Sequence, residues 1–148
     1  LSKAVGSYGG FICGKKNLID FIINRCRSQI YTTGLPPSVL AASIKSLEII
    51  KSNKRLIKKP LENAIFFSKI VGLETPVSPI VPIVLGEENI ALNLSRYLKR
   101  YGYVVGAIRP PTVPKGTSRL RVAFNSSHTK LQIKNLANLI KHKLKVYG

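Results

Sequence analysis

These 148 residues contain no methionine, no tryptophan, one aspartate and two cysteines, and each scarcity narrows what the chain can do. Asp20 is the only aspartate, so chemistry that needs a buried one must draw on Asp20 or on another chain. Cys13 and Cys26 are too few for a disulfide framework, and neither stands at metal-ligand spacing from His128 or His142. Both cysteines therefore read as buried free thiols, small apolar residues of a core. No apolar run reaches the roughly 18 residues that a membrane span needs, and no charged, apolar and cleavage sequence marks a secretory leader. The expectation is a soluble, cytoplasmic protein. The lack of methionine, with a leucine start inside what reads as a working motif, suggests a fragment, a processed product or an unusual start.

What is present is positive charge. Twenty-four lysines and arginines against six carboxylates give +18 at neutral pH, which raises nucleic acid as a partner. The charges run along the whole chain, few aromatics are interleaved with them, and no base-stacking motif occurs. A basic proteome or an acidic partner gives the same balance, so a basic nucleic-acid-binding module is the weakest reading. A hydrophobic fraction of 45% argues against disorder, and the length suits one domain with a real core.

The opening LSKAVGSYGGFICG sets Lys3 among three glycines (Gly6, Gly9, Gly10) before a short expected strand at 11–13. Glycines at this density let the backbone approach a ligand or another chain closely. Residues 15–26 have an amphipathic helical period, and 29–33 are β-prone until Gly34-Leu35-Pro36-Pro37 stops them. The two prolines also suit a helix start, predicting helices over 38–52 and 54–70. A buried strand follows at 80–85, then a helix over 87–100 with acid at its start and Lys99 and Arg100 at its end, as the helix dipole favours. Thr129 and Gln132 form a capping box for a last helix ending near Lys145. From residue 38 the expected order is α-α-β-α-β-β-α, a small sheet with helices on one face.

Between the last two strands lies AIRPPTVPKGTSRLR, residues 107–121. Proline has a fixed φ and no N–H, so Arg109-Pro110-Pro111 must leave the sheet at the end of an apolar run over 103–108. Pro114 and Gly116 turn the chain back into a strand over 119–124. The result is a stiff loop with an arginine near each end, and rigidly held guanidiniums suit a carboxylate or phosphate. Solvated arginines beside a surface turn would give the same pattern.

Four segments together resemble the pyridoxal-phosphate (PLP) α-oxoamine synthases of fold-type I: LSKAVGSYGG, IYTTGLPP, SPIVPIVLG, and AIRPPTVPKGTSRLR with the following Ser126-Ser127-His128-Thr129. The first is similar to the segment carrying the Schiff-base lysine, though without the Gly-Thr that normally precedes it. The Arg-Pro-Pro-Thr-Val-Pro run favours the branch that condenses L-alanine with a pimeloyl thioester (of CoA or a carrier protein), with loss of CO₂, in biotin biosynthesis. The resemblance implies an α/β fold: residues 1–34 as the tail of the PLP-binding large domain, and 35–148 as the C-terminal small domain, a small mostly antiparallel sheet covered by helices. It implies Lys3 as cofactor-binding and catalytic residue, Thr32 and Thr33 reaching a cofactor phosphate across a dimer interface, and Arg121 on the substrate carboxylate. Thr112 would contact substrate, and Arg109 would shape the acyl-donor side or the loop itself. His128 would be packed or capping and His142 solvated. The carboxylate expected on the cofactor's pyridinium nitrogen and the ring-stacking histidine would lie upstream of Leu1, so the chain is expected to need that portion for activity, as a homodimer or as a complex with it. A non-catalytic remnant or interaction domain is the alternative.

Overall fold

The computed structural model describes residues 1–147. Its elements in chain order are α1 (Lys16–Arg25), α2 (Arg27–Ile30), α3 (Pro37–Ser52), α4 (Lys54–Val71), β1 (Ile80–Gly86), α5 (Glu88–Arg100), β2 (Gly106–Ile108), β3 (Ser118–Ala123) and α6 (Lys130–Tyr147). They fall into two compact units, Leu1–Lys54 and Arg55–Gly148. From α3 onward the order is the α-α-β-α-β-β-α expected.

In the C-terminal unit β3 is the central strand, with β1 and β2 antiparallel on either side. Its residues alternate: Ser118, Leu120, Val122 and Phe124 are buried, while Arg121 and Ala123 are exposed, the period-2 pattern of a sheet with one covered face. Val81 and Ile83 of β1 join the covered face. Phe67 from α4, Leu94 and Leu98 from α5, and Ile133, Leu136 and Ile140 from α6 close over it as one core. Helices thus lie on one side only, and the other side presents Ile80, Val84 and Arg121 outward.

Three local features hold this unit in register. Thr129 caps α6: its Oγ1 accepts from the Gln132 N–H at 3.2 Å, and Gln132 Oε1 accepts from the Thr129 N–H at 2.9 Å, the reciprocal box read from the sequence. Ser95 on α5 donates to the Val105 carbonyl at 2.6 Å, tying residues 103–105 to the helix. Asn63 is buried on α4, and its Nδ2 donates to the Asn125 carbonyl at 3.0 Å and the His128 carbonyl at 3.4 Å. The Asn63→Ala variant should therefore be less stable by about 1–3 kcal/mol in urea unfolding, because two carbonyls lose their donor in a dry site. The buried Ser68 hydroxyl is the control. It has no hydrogen-bond partner among the described residues, so Ser68→Ala should change stability by less than about 1 kcal/mol.

The N-terminal unit is built differently. Ser43 is its only buried residue among those described, and Tyr8, Phe11, Ile12, Phe21 and Ile23 are exposed. The strand expected at 11–13 is irregular chain, and the β-prone 29–33 run is instead the short helix α2 followed by a turn and irregular residues. A strand needs a neighbour to satisfy its N–H and C=O groups, and no strand occurs among the described residues of this unit. The thiols are also not buried: Cys13 is exposed and Cys26 only partly covered, because no core forms around them.

Cys26 Sγ and Ser28 Oγ lie 3.2 Å apart. This hydroxyl, helped by the Gln29 N–H, holds the Cys26 thiol below its ordinary range. A lowered value means more thiolate at neutral pH. Alkylation of Cys26 by iodoacetamide should show a pH midpoint below the usual ~8.5, and Ser28→Ala should move that midpoint upward.

Candidate functional site

Lys3 sits at the head of a turn closed by the Gly6 N–H on the Lys3 carbonyl at 3.0 Å. The Leu1 nitrogen donates to the Gly9 carbonyl at 2.6 Å, so residues 1–9 fold back on themselves. Gly9 has φ +89°, and a Cβ there would stand 2.5 Å from a Leu35 methyl, so both conformation and packing favour glycine. Ser7 and Ser43 anchor the segment to α3. Ser7 Oγ donates to the Val39 carbonyl at 3.0 Å, and Ser43 Oγ lies 2.7 Å from Ser7 Oγ. On this tethered backbone the Lys3 side chain is exposed, with no hydrogen-bond or ion-pair partner among the described residues. Thr32 and Thr33 also lie in the N-terminal unit, exposed in the irregular chain before Gly34.

The carboxylate inventory is short. Asp20 lies on α1 and is paired with Lys16 at 2.6 Å, in solvent. It is engaged in a helical i,i+4 pair.

In the C-terminal unit the loop between β2 and β3 has the stiffness read from its prolines. The Thr112 N–H donates to the Arg109 carbonyl at 3.0 Å around a cis Pro110–Pro111 bond, the geometry of a type VI turn. A second turn closes with the Thr117 N–H and hydroxyl on the Pro114 carbonyl, at 3.2 and 2.8 Å, with Gly116 at φ +77° between them. Arg109 Nη1 donates to Glu88 Oε1 at 3.0 Å, fastening the loop to the start of α5. Arg119 Nε donates to the Thr117 carbonyl at 2.9 Å. Thr112 is exposed on the loop.

Arg121 differs from both of these arginines. It is exposed on the uncovered sheet face, with no hydrogen-bond or ion-pair partner among the described residues. Its cross-strand neighbours are Pro82 and Gly106, neither of which offers a counter-charge. It borders a groove of about 240 Å³, shared with Tyr103, Val105, Phe124, His128 and Gln132, where residues 103–105 diverge from the end of β3. This divergence is why β2 is only three residues long, shorter than the apolar run that predicted it. His128 Nδ1 accepts from the Asn125 N–H at 3.2 Å, and its ring meets Phe124 edge-on, a packed role. His142 is exposed, and among the described residues no three metal-ligating side chains cluster.

Comparison with known proteins agrees with this organisation. The family-wide profile of aminotransferase class I and II matches residues 1–140. The chain belongs to this family. Among the family's curated members, the 8-amino-7-oxononanoate synthase of Granulibacter bethesdensis is 48% identical over 141 residues, which is 95% of this chain and 37% of that protein. The chain thus spans little more than a third of the length of the curated relatives it matches. A solved 8-amino-7-oxononanoate synthase from Francisella tularensis superposes with TM-score 0.84 at 27% identity, over 98% of this chain and 44% of that one. A structure of SPT (serine palmitoyltransferase) with PLP as internal aldimine gives TM-score 0.89 at 28% identity, over 99% and 39%. The α/β architecture, with its small antiparallel sheet under helices, is that of fold-type I PLP enzymes.

Sequence reading did not single out Asn63, or the tyrosines that gather between α5 and α6. The Tyr97 and Tyr101 spacing of four was legible. Their meeting with Asn135 and Asn138 was not, because it depends on how the two helices pack.

Proposed function

We propose that this chain is the C-terminal part of a PLP-dependent acyltransferase that condenses L-alanine with a pimeloyl thioester, releasing CO₂ and yielding 8-amino-7-oxononanoate, in biotin biosynthesis. The observation that carries this reading is Lys3: an unpaired, exposed amine on a backbone pinned by the Gly6 turn and the Ser7–Ser43 contacts, in a chain 48% identical to a synthase of that name. Residues 1–34 are read as the tail of a PLP-binding domain and 35–148 as the small domain. The exposed apolar side chains of the N-terminal unit support the first assignment, because they suit packing against further polypeptide.

PLP, when bound, supplies the electron sink that makes loss of the amino acid's Cα proton feasible. Lys3 Nζ would hold the cofactor and carry that proton, a task that suits an amine whose basicity responds to its surroundings. Arg121 would grip the alanine carboxylate with its planar fork. The stiff loop would present Thr112 toward substrate, and Arg109, held by Glu88, would fix the wall on the acyl-donor side. Thr32 and Thr33 offer hydroxyls suited to a phosphate. The lysine end of the cofactor site fits the residues present. The carboxylate for the ring nitrogen does not come from Asp20 and is assigned to polypeptide outside residues 1–148. The working form is therefore a homodimer or complex containing that polypeptide.

A chimera joining the upstream portion of the Granulibacter relative to residues 1–148 tests this. It should release CO₂ and form the amino-oxo acid from alanine and pimeloyl thioester, whereas the 148-residue chain alone should not. A chimera that folds and binds PLP yet gives no alanine-dependent condensation would sink the proposal and favour a non-catalytic interaction domain.

A further inference from the structure

The C-terminal unit has a second groove, between α5 and α6, of about 590 Å³, within the roughly 300–1,000 Å³ typical of small-ligand sites. Tyr97 on α5 and Tyr101, the residue that caps its C-terminus, stand four residues apart, with ring centroids 4.9 Å from each other and planes at 55°. Tyr103 joins them just beyond the helix. From α6 come Asn135, Asn138 and His142, at the three- and four-residue spacings that place side chains on one helix face. Lys143 Nζ lies 4.7 Å from the Tyr97 ring centroid. Hydrogen bonding with Tyr101, in which Tyr97 keeps its proton, holds the Tyr97 phenol above its usual range.

The sequence that supplies this groove is basic. Residues 89–148 contain twelve lysines and arginines and none of the six carboxylates. Lysines alone would attract any anion. Here, though, a lysine sits beside an aromatic wall that can stack on a flat ring, in a groove also lined by amides that can both donate to and accept from a ring edge. Those three features together match a base joined to a phosphate.

We propose that the α5–α6 groove binds a nucleotide, with its base against the tyrosines and Asn138 and its phosphate toward Lys143. The nucleotide can be free or part of a single strand, and the chemistry of recognition is the same. This inference does not depend on Lys3 or on the acyltransferase reading.

The test uses the 148-residue chain, following tyrosine fluorescence during titration with AMP, with a single-stranded RNA decamer and with inorganic phosphate. AMP or the decamer should bind more tightly than phosphate by at least tenfold. Tyr101→Ala and Asn138→Asp, both at exposed positions, should each weaken that binding roughly fivefold or more. Saturation by AMP identifies a free nucleotide as the ligand; response to the decamer alone identifies a strand. Equal affinity for phosphate, binding unchanged in both variants, or no binding to either nucleotide probe would overturn the proposal.

Discussion

Lys3→Ala should cost the chimeric synthase at least about 10³-fold in condensation rate, the scale set by one positioned acid–base group, with little change in its unfolding midpoint. The separation of the two effects follows from the placement of the side chain. Lys3 is exposed, with no partner for its amine among the described residues, while the turn that carries it is held by backbone contacts at Gly6 and Gly9 and by the bond from Ser7 to Val39 of α3. Removing the side chain therefore leaves the local fold intact. Lys3→Arg should fail as completely as alanine, because a guanidinium stays protonated in proteins and cannot act as an amine nucleophile or base. Steady-state rates with alanine and the thioester, alongside urea unfolding, check both halves. Activity retained in Lys3→Arg would argue that the charge, and not the amine, matters.

The second large effect belongs to Arg121. Arg121→Ala is expected to lower kcat/KM for the amino acid by about 30- to 1,000-fold, corresponding to the roughly 2–4 kcal/mol lost when one member of a desolvated, hydrogen-bonded charge pair is removed. Arg121→Lys should recover only part of this, since a point charge replaces a fork. Arg109→Ala is the contrast. Its partner is Glu88, and both side chains are about half exposed, at 51% and 44%, so the pair contributes under about 1 kcal/mol to stability. Any kinetic cost at Arg109 should come through the loop it fastens. The difference between the two arginines is visible in the structure: Arg109 has a carboxylate beside it, whereas the cross-strand neighbours of Arg121 are Pro82 and Gly106.

The C-terminal unit was largely legible in the sequence because its signals are local. The Thr129–Gln132 box, the acid-to-base polarity of α5 and the turn-forming prolines of the 109–117 loop each act within a few residues, and each appears where expected. What depends on distant partners was not legible. The β-propensity at 29–33 produced no strand, since propensity expresses fit to a neighbouring strand. Cys13 and Cys26 looked like core residues by type, but the unit around them encloses no core. Asn63 reads as an ordinary helical amide until α4 brings it to two carbonyls 62 and 65 residues away. Of the candidate site, Lys3 and Arg121 are singled out by their flanking motifs, whereas the placement of Arg121 opposite Pro82 and Gly106 required the strand register.

Treating the PLP-loaded chimera with borohydride and mapping the modified peptide by mass spectrometry tests the central claim most directly. The account predicts a reduced pyridoxyl group on Lys3, lost in Lys3→Ala without transfer to another lysine. A pyridoxyl group on a different lysine, or none on residues 1–148 while PLP remains bound, would contradict it.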